Sequence, residues 1–315
     1  MSIIEKAANR IGKAAAPAAP LAQVHAQAAP SAHEPVFESP DIAVAELPDF
    51  TAPEIAAAAQ LPDPEPPARE RVRRAARMIE LDLARMNEAG LVTAAGGRTN
   101  LVEDFRIIKR PLIKRAFAPR KPNANPGNLI MITSSLPGEG KTFTSINLAM
   151  SIAMELDHTV LLVDADVARP SVLRTLGLPA QRGLMDILLD DQLDMSEVML
   201  RTNVNTLSIL PAGTSNPRAT ELLASQAMKS LVLEIANRYP DRIVIFDSPP
   251  LLLTSEAHVL ASHMGQIVVV VESEKTTQHA VKEALHQLEG CSNVNLVYNK
   301  SRELNTSSKY DYHYG

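Results

Sequence analysis

Tryptophan is absent from this 315-residue chain, cysteine occurs once, and aromatic side chains make up only 3% of it. The single cysteine, Cys291, excludes an intramolecular disulfide and a cysteine-rich zinc site. So few aromatic rings argue against a protein that binds single strands by base stacking. The formal net charge of −5 argues against nucleic-acid binding driven by bulk positive charge. We therefore expect no nucleic-acid partner.

Long apolar segments are also missing. No apolar run approaches the ~20 residues that a membrane-spanning helix needs. The first residues lack the basic-then-apolar pattern of a secretory signal. These absences predict a cytoplasmic chain.

The composition changes sharply along the chain. Residues 1–68 contain 20 alanines and 11 prolines, a spacing that predicts a disordered tether. Residues 69–125 contain 14 basic and 6 acidic side chains and predict a helical extension. This positive region could meet a membrane surface or an acidic partner, or it could be a solvated helix face. The main folded domain is predicted over 126–304, and a flexible tail over 305–315.

Two helices are predicted in the basic region. The first ends at Gly90 and carries an apolar stripe at Val72, Ala75, Ala76, Ile79, Leu83 and Met86. The second begins at Asn100, whose side chain is expected to cap it, with Glu103 completing a capping box. Its apolar face comprises Leu101, Phe105, Ile108 and Leu112. Pro111 is expected to kink or break this helix.

Short apolar runs alternate with amphipathic stretches from residue 128 onwards. Strands are predicted over 129–133, 160–163, 207–210, 243–246, 267–271 and 294–298. A helix is predicted through Ile146, Met150 and Ile152. Continuous apolar runs indicate strands that are covered on both faces. The fold class is therefore α/β, a mostly parallel sheet with helices on both faces.

The first of these strands leads into Ser135-Leu-Pro-Gly-Glu-Gly-Lys-Thr142. In a P-loop, glycines let backbone N–H groups face phosphate oxygens, a lysine neutralises the β and γ phosphates, and a hydroxyl binds Mg²⁺. Gly140, Lys141 and Thr142 fit, while Ser135 replaces the leading glycine. A strand before the motif and a helix after it argue against a chance turn. The motif predicts an ATP and Mg²⁺ site.

Carboxylates follow two later strands. Asp164 and Asp166 come after one strand and Asp247 after another. The carboxyl ends of parallel strands face one ligand crevice. Phosphoryl transfer needs a metal ion and a carboxylate that orients the attacking hydroxyl. These three residues therefore belong to the predicted site.

Residues 69–315 resemble the bacterial tyrosine kinases, most closely the exosortase-associated subgroup. The resemblance lies in the P-loop form, in a second Walker A motif at 161–166, in a Walker B motif at 243–250, and in Asn299-Lys300. Glu103-x-x-Arg106-x-x-Lys109 resembles that family's oligomerisation motif, with lysine in place of its last arginine. The second Walker A motif departs from the family at Ala168, although Arg169 follows.

The resemblance implies an ATP-dependent tyrosine autokinase that regulates exopolysaccharide synthesis. Its partners would be a membrane-embedded polysaccharide chain-length regulator, which holds it at the inner membrane, and further copies in a ring. The implied nucleotide-binding residues are Ser135, Pro137, Gly138, Glu139, Gly140, Lys141, Thr142, Phe143 and Asn299.

The resemblance also implies roles for the acidic residues. Mg²⁺ would be held by Thr142, Asp166 and Asp247. Lys141, Asp164 and Asp166 form the catalytic set, and one of the two aspartates takes the tyrosine proton. The sequence leaves open which one, and we favour Asp164.

The last six residues hold three of the chain's five tyrosines, Tyr310, Tyr312 and Tyr314. A flexible end rich in tyrosine fits a protein that is its own phosphate acceptor. Tyr298 lies in a predicted strand and is expected to be a packing residue.

Two alternatives remain. Partition and division-site ATPases share these motifs, but their signature lysine would stand at Leu136. An ATP-switched assembly scaffold would use the same nucleotide site without phosphorylating tyrosine.

Overall fold

The computed structural model describes residues 77–301 except residues 98 and 121. The predicted tether at 1–68, the start of the first predicted helix and the tyrosine tail lie outside the described residues. The predicted domain boundaries therefore stay predictions.

The described chain forms one sheet with the strand order β1-β4-β5-β3-β6-β2-β7-β8. The strands are β1 (Arg77–Ile79), β2 (Leu129–Ser134), β3 (Thr159–Asp164), β4 (Leu200–Thr202), β5 (Leu207–Leu210), β6 (Arg242–Asp247), β7 (Gln266–Glu272) and β8 (Val294–Asn299). All neighbouring strands pair in parallel except β4 and β5. The predicted, mostly parallel sheet is confirmed.

Helices connect the strands. They are α1 (Leu83–Glu88), α2 (Asn100–Ala116), α3 (Lys141–Ala153), α4 (Val172–Thr175), α5 (Leu184–Leu189), α6 (Met195–Val198), α7 (Ala219–Leu223), α8 (Gln226–Arg238), α9 (Ser255–Ala261) and α10 (Gln278–His286). Within the described part of the chain, no helix combines the length and the apolar character needed to cross a bilayer.

Alternate residues of each central strand enter separate hydrophobic cores. On β2, Leu129 and Met131 pack into one core, while Ile130 and Ile132 pack into the other. Helices α5 to α10 contribute side chains to the first core, and α1 to α4 contribute side chains to the second. Because successive side chains point to opposite faces, a strand buried on both sides must be apolar throughout.

The six predicted strands are confirmed to within one residue at each end. The short strands β1 and β4 were not predicted. Tyr298, expected to pack, is 62% exposed because β8 is an edge strand.

The prediction of a continuous first helix is wrong. Residues 77–79 form β1, and the helix begins only at Leu83, where the Asp82 side chain accepts a hydrogen bond from the N–H of Arg85. The cause is a long-range contact, since Asn203 bonds both the N–H and the C=O of Leu81. The expected stop at Gly90, whose φ is +77°, is confirmed.

Helix α2 begins at Asn100 as predicted, but its cap is Thr99. Thr99 Oγ1 accepts from the N–H of Val102, and Glu103 pairs instead with Arg106, so the predicted capping box is wrong. Pro111 does not break the helix. Residue 107, whose carbonyl loses its helical donor, is exposed, so water can satisfy that carbonyl.

A segment over residues 81–97 covers the outer side of α3. Leu91, Val92 and Thr93 are buried there. The Asn147 side chain fixes this segment, because its Oδ1 accepts from the N–H of Val92 at 2.6 Å while its Nδ2 donates to the carbonyl of Phe143. The segment is therefore tied directly to the helix that follows the P-loop.

Asn147→Ala should lower the free energy of unfolding by about 1–3 kcal/mol, because it leaves the buried N–H of Val92 without an acceptor. Asn237→Ala is the matched control. Its side chain also donates to the carbonyl four residues earlier, but at an exposed site, so its cost should be about 0.5 kcal/mol or less. Urea unfolding measures both. Equal costs would contradict the anchoring role.

Candidate active site

The P-loop connects β2 to α3 and exposes backbone donors. Gly138 and Gly140 have φ values of +83° and +99°, which favour glycine. Gly140 is also the N-cap of α3, so the positive end of the helix faces the loop. Among the described residues, the N–H groups of Gly138, Glu139 and Gly140 find no protein acceptor. Such converging free donors form an anion site.

Lys141 supplies the cation of the site. Its Nζ lies 2.8 Å from Asp166 Oδ2, and both side chains are largely buried. The second oxygen of Asp166 accepts from the N–H of Arg169. The structure thus brings the P-loop and the second Walker A motif into direct contact, as the sequence predicted.

Asp247 receives two hydroxyl groups from the start of α3. Thr142 Oγ1 donates to one carboxylate oxygen at 2.8 Å, and Ser145 Oγ donates to the other at 2.9 Å. Thr142 Oγ1 also lies 2.8 Å from the hydroxyl of Ser171. Thr142 and Asp247, which the sequence analysis expects to hold Mg²⁺, therefore lie in direct contact, while their role as metal ligands stays a prediction.

Asp164 lies beside Asp247, because these two residues are register partners at the ends of β3 and β6. Its Oδ2 accepts from the N–H groups of Ser171 and Val172 at 3.0 Å each. Its Oδ1 is buried without a hydrogen-bond partner in the described chain. The carboxyl group therefore keeps one oxygen uncommitted.

Burial shifts the acidity of both adjacent carboxyls. Desolvation, helped by Asp247, raises the pKa of Asp164 to about 7. Desolvation also raises the pKa of Asp247 to about 6, although Lys141 and the hydroxyls of Thr142 and Ser145 oppose the rise. Three carboxylates and one ammonium leave the site short of positive charge.

The donor set fits Mg²⁺ bound together with phosphate. Among the described residues, no cluster of three or more acidic, histidine or cysteine side chains could hold a metal ion by itself. Mg²⁺ usually takes one or two carboxylates and completes its shell with water and substrate phosphates. Thr142 and Asp247, whose hydroxyl and carboxylate oxygens are already in contact, suit that mode.

The other predicted nucleotide residues lie around the same loop. Ser135 and Glu139 are buried, Pro137 is exposed at the tip, and Phe143 packs on the core beneath α3. Glu139 uses its carboxylate inside the loop, where it accepts from the N–H of Leu136 at 2.6 Å and from the hydroxyl of Thr276. No local pattern indicates Thr276, because it comes from the loop after β7.

Asn299 and Lys300 contact the back of the P-loop. Asn299 Nδ2 donates to the carbonyl of Glu139, and Lys300 Nζ donates to the carbonyl of Gly138, each at 2.8 Å. Whether Asn299 also contacts a nucleotide base stays a prediction.

The three predicted oligomerisation residues are divided between the surface and the interior. Glu103 and Arg106 form an exposed ion pair at 3.0 Å. Lys109 is only 5% exposed, and its Nζ is held by the carbonyl of Ser151 at 2.6 Å and by Glu155. An interface role for this motif stays a prediction, and the groups accessible for it are Glu103 and Arg106.

Sequence reasoning missed Ser145 and Ser171. Ser145 stands one helical turn after Lys141, so its spacing could have indicated a second hydroxyl on the same face. Ser171 reaches the site only because the chain turns back after β3, which no local pattern indicates.

Comparison with known proteins places this chain in a family. A family model described as an AAA domain matches residues 127–301. Tyrosine-protein kinase YwqD of Bacillus subtilis (strain 168) is 35% identical over 185 residues, which cover 58% of this chain and 76% of that protein. The chain belongs to the bacterial tyrosine kinase family.

Further relatives agree with this assignment. Tyrosine-protein kinase CpsD of Streptococcus agalactiae is 30% identical over 178 residues, covering 56% of this chain and 76% of that protein. The solved BceF tyrosine kinase domain superposes with a TM-score of 0.56 at 26% identity, covering 71% of this chain and 91% of that one. The partition-ATPase alternative is less favoured than the kinase family.

The raised pKa values predict how stability depends on pH. The pKa of Asp164 is about 7 when folded, against an ordinary 3.8. The folded state therefore binds more protons between these values, and stability falls as pH rises through that window. Asp164→Asn should stabilise the nucleotide-free protein clearly at about pH 8 and much less at about pH 5.

Urea unfolding in chelator, without nucleotide, measures this difference. A gain of equal size at both pH values would show that the folded protein does not disfavour the Asp164 charge.

Proposed function

We propose that the protein is an ATP-dependent protein-tyrosine autokinase whose acceptors are Tyr310, Tyr312 and Tyr314. The observation that supports this function most directly is the meeting of P-loop donors, Lys141 and three strand-end carboxylates in one buried site. Family membership supports tyrosine as the acceptor. The tail itself lies outside the described residues, so its role rests on the sequence.

The loop and Lys141 bind the triphosphate. The free N–H groups of residues 138–140 and the start of α3 attract phosphate oxygens. Lys141, which pairs with Asp166 in the nucleotide-free site, neutralises charge on the transferring phosphoryl group. Thr142 and Asp247, with Asp166 beside them, would hold Mg²⁺, which would supply further positive charge to the phosphates.

Asp164 accepts the proton of the tyrosine hydroxyl. Two features support it over Asp166, namely its uncommitted Oδ1 and its pKa near 7. A base with a pKa near the working pH transfers protons efficiently. Asp166 is less suited, because its Oδ1 accepts from the N–H of Arg169 even when Lys141 leaves Oδ2 for the phosphates.

The acceptor tail comes from a neighbouring copy, and the kinase regulates exopolysaccharide synthesis and export. A membrane-embedded chain-length regulator holds it at the inner membrane, and copies form a ring that uses Glu103 and Arg106.

Each added phosphate brings about −1.5 to −2 charges. Three phosphates on one tail would be repelled by the acidic site, and this repulsion would favour release of the tail from the neighbouring copy.

Lys141→Met should abolish autophosphorylation and weaken ATP binding by about 1.5–3 kcal/mol, since it removes a charge-assisted contact to phosphate. Phosphotyrosine blotting and calorimetric ATP titration measure the two effects, and thermal unfolding checks the fold. Wild-type phosphorylation by this variant would show that the P-loop assignment is wrong.

Changing Tyr310, Tyr312 and Tyr314 together to Phe should reduce autophosphorylation to near background and leave ATP binding intact, because only the acceptor hydroxyls are lost. Tyr298→Phe is the matched control, since Tyr298 is an exposed tyrosine outside the tail, and it should label like the wild type. Retained labelling of the triple variant would put the acceptor elsewhere.

Mixing two inactive variants then tests transfer between molecules. Lys141→Met protein keeps the acceptors and triple-Phe protein keeps the P-loop, so the mixture should label the Lys141→Met chain. Absence of label, with the wild type active, would indicate transfer within one chain. Absence of phosphotyrosine in the wild type despite ATP binding would favour the scaffold alternative.

A further inference from the structure

The side chains of Asn299 and Lys300 hydrogen-bond two backbone carbonyls in the middle of the P-loop. Asn299 Nδ2 donates to the carbonyl of Glu139, and Lys300 Nζ donates to the carbonyl of Gly138. Both come from the end of the edge strand β8, about 160 residues later in the chain. They reach two consecutive peptide groups of the loop.

A trans peptide group is planar, and its C=O and N–H point in opposite directions. A donor that fixes the Gly138 carbonyl therefore also fixes the N–H of Glu139 on the opposite side. Likewise, the Asn299 contact fixes the N–H of Gly140. These two N–H groups are among those without a protein acceptor in the described residues.

The contact is close and is itself supported. A Cβ added to Gly140 would lie 2.0 Å from Asn299 Nδ2, so the amide occupies the space that glycine leaves. Lys300 adopts a φ of +57°, unusual for a side chain of its size, and its Nζ also pairs with Glu272 at 3.2 Å. Glu272 thus helps hold the ammonium against the loop.

We propose that Asn299 and Lys300 are positioning residues that orient the phosphate-binding N–H groups of the P-loop. Removing either side chain should therefore weaken binding of the polyphosphate part of the ligand rather than binding of the base. This inference rests on the proposed nucleotide site and assigns to that site two residues that act through the backbone.

The test compares ATP with inorganic tripolyphosphate, which has no base. Both are titrated calorimetrically with Mg²⁺ into the full-length wild type, Asn299→Ala and Lys300→Met. We expect both variants to weaken both ligands by a similar factor, roughly tenfold, from the loss of one ordering hydrogen bond. Lys300→Arg, which keeps a cationic donor, should recover most of the affinity.

Matched controls separate this effect from general changes. Lys275→Met removes another ammonium paired with Glu272 at 3.2 Å, but Lys275 has no P-loop contact among its described interactions. Asn295→Ala removes an amide on the same strand that donates to the carbonyls of Ile267 and Asn293. Both controls should bind the two ligands as the wild type does. Thermal unfolding without ligand identifies any variant that fails to fold. Substitution of Lys300 should disturb folding less than substitution of Asn299, because the Lys300 side chain is about half exposed.

Three outcomes would overturn the proposal. Weakened ATP binding with unchanged tripolyphosphate binding would assign Asn299 and Lys300 to the base. Unchanged binding of both ligands would mean that the loop needs no external support. If the wild type binds neither ligand, the nucleotide site itself fails, and the proposed function fails with it.

Discussion

The chemistry of the site depends on an excess of acidic over basic groups where the strands of the sheet have their carboxyl ends. Asp164, Asp166 and Asp247 are buried there, and in the described part of the chain Lys141 supplies the ammonium of the site. Burial without enough cations explains why the pKa values of Asp164 and Asp247 are raised. It also explains why a metal ion carrying phosphate suits the site, because it would bring the missing positive charge to carboxyl groups that are buried.

The sheet keeps these like charges together. Asp164 and Asp247 are fixed by the register of β3 and β6, whose residues 160–163 and 243–246 are buried on both faces. Hydroxyls from α3 and N–H groups after β3 hydrogen-bond the carboxylates and so reduce the cost of burial. In the proposed kinase, the strands and the preorganised loop hold the reacting groups, and the acceptor tyrosine comes from another copy.

Much of this arrangement could be predicted because it depends on local pattern. The six strands that the sequence predicts are short apolar segments, and the P-loop and its carboxylates are short motifs at strand ends. The failures involve contacts between distant segments. Leu81 is fixed by Asn203, so the helical stripe ending at Met86 became a strand and a short helix. Lys109 has helical spacing with Glu103 and Arg106, yet Glu155 and Ser151 hold it inside.

The site shows the same division. Lys141, Thr142 and Asp247 meet as their motifs predict, whereas Thr276 and Ser171 arrive from loops with no distinctive sequence. Asn299 was predicted for its likeness to a base-binding position, and its contact with the Glu139 carbonyl depends on where β8 ends. Spacing along the chain predicts which residues share an element, but it does not predict what the end of an edge strand will touch.

The most direct test of the central claim is to map phosphate on the full-length protein after incubation with Mg-ATP, by tandem mass spectrometry of its peptides. We expect phosphotyrosine at Tyr310, Tyr312 and Tyr314 and none at Tyr239 or Tyr298. A protein that binds or hydrolyses ATP while every tyrosine stays unmodified would contradict the account.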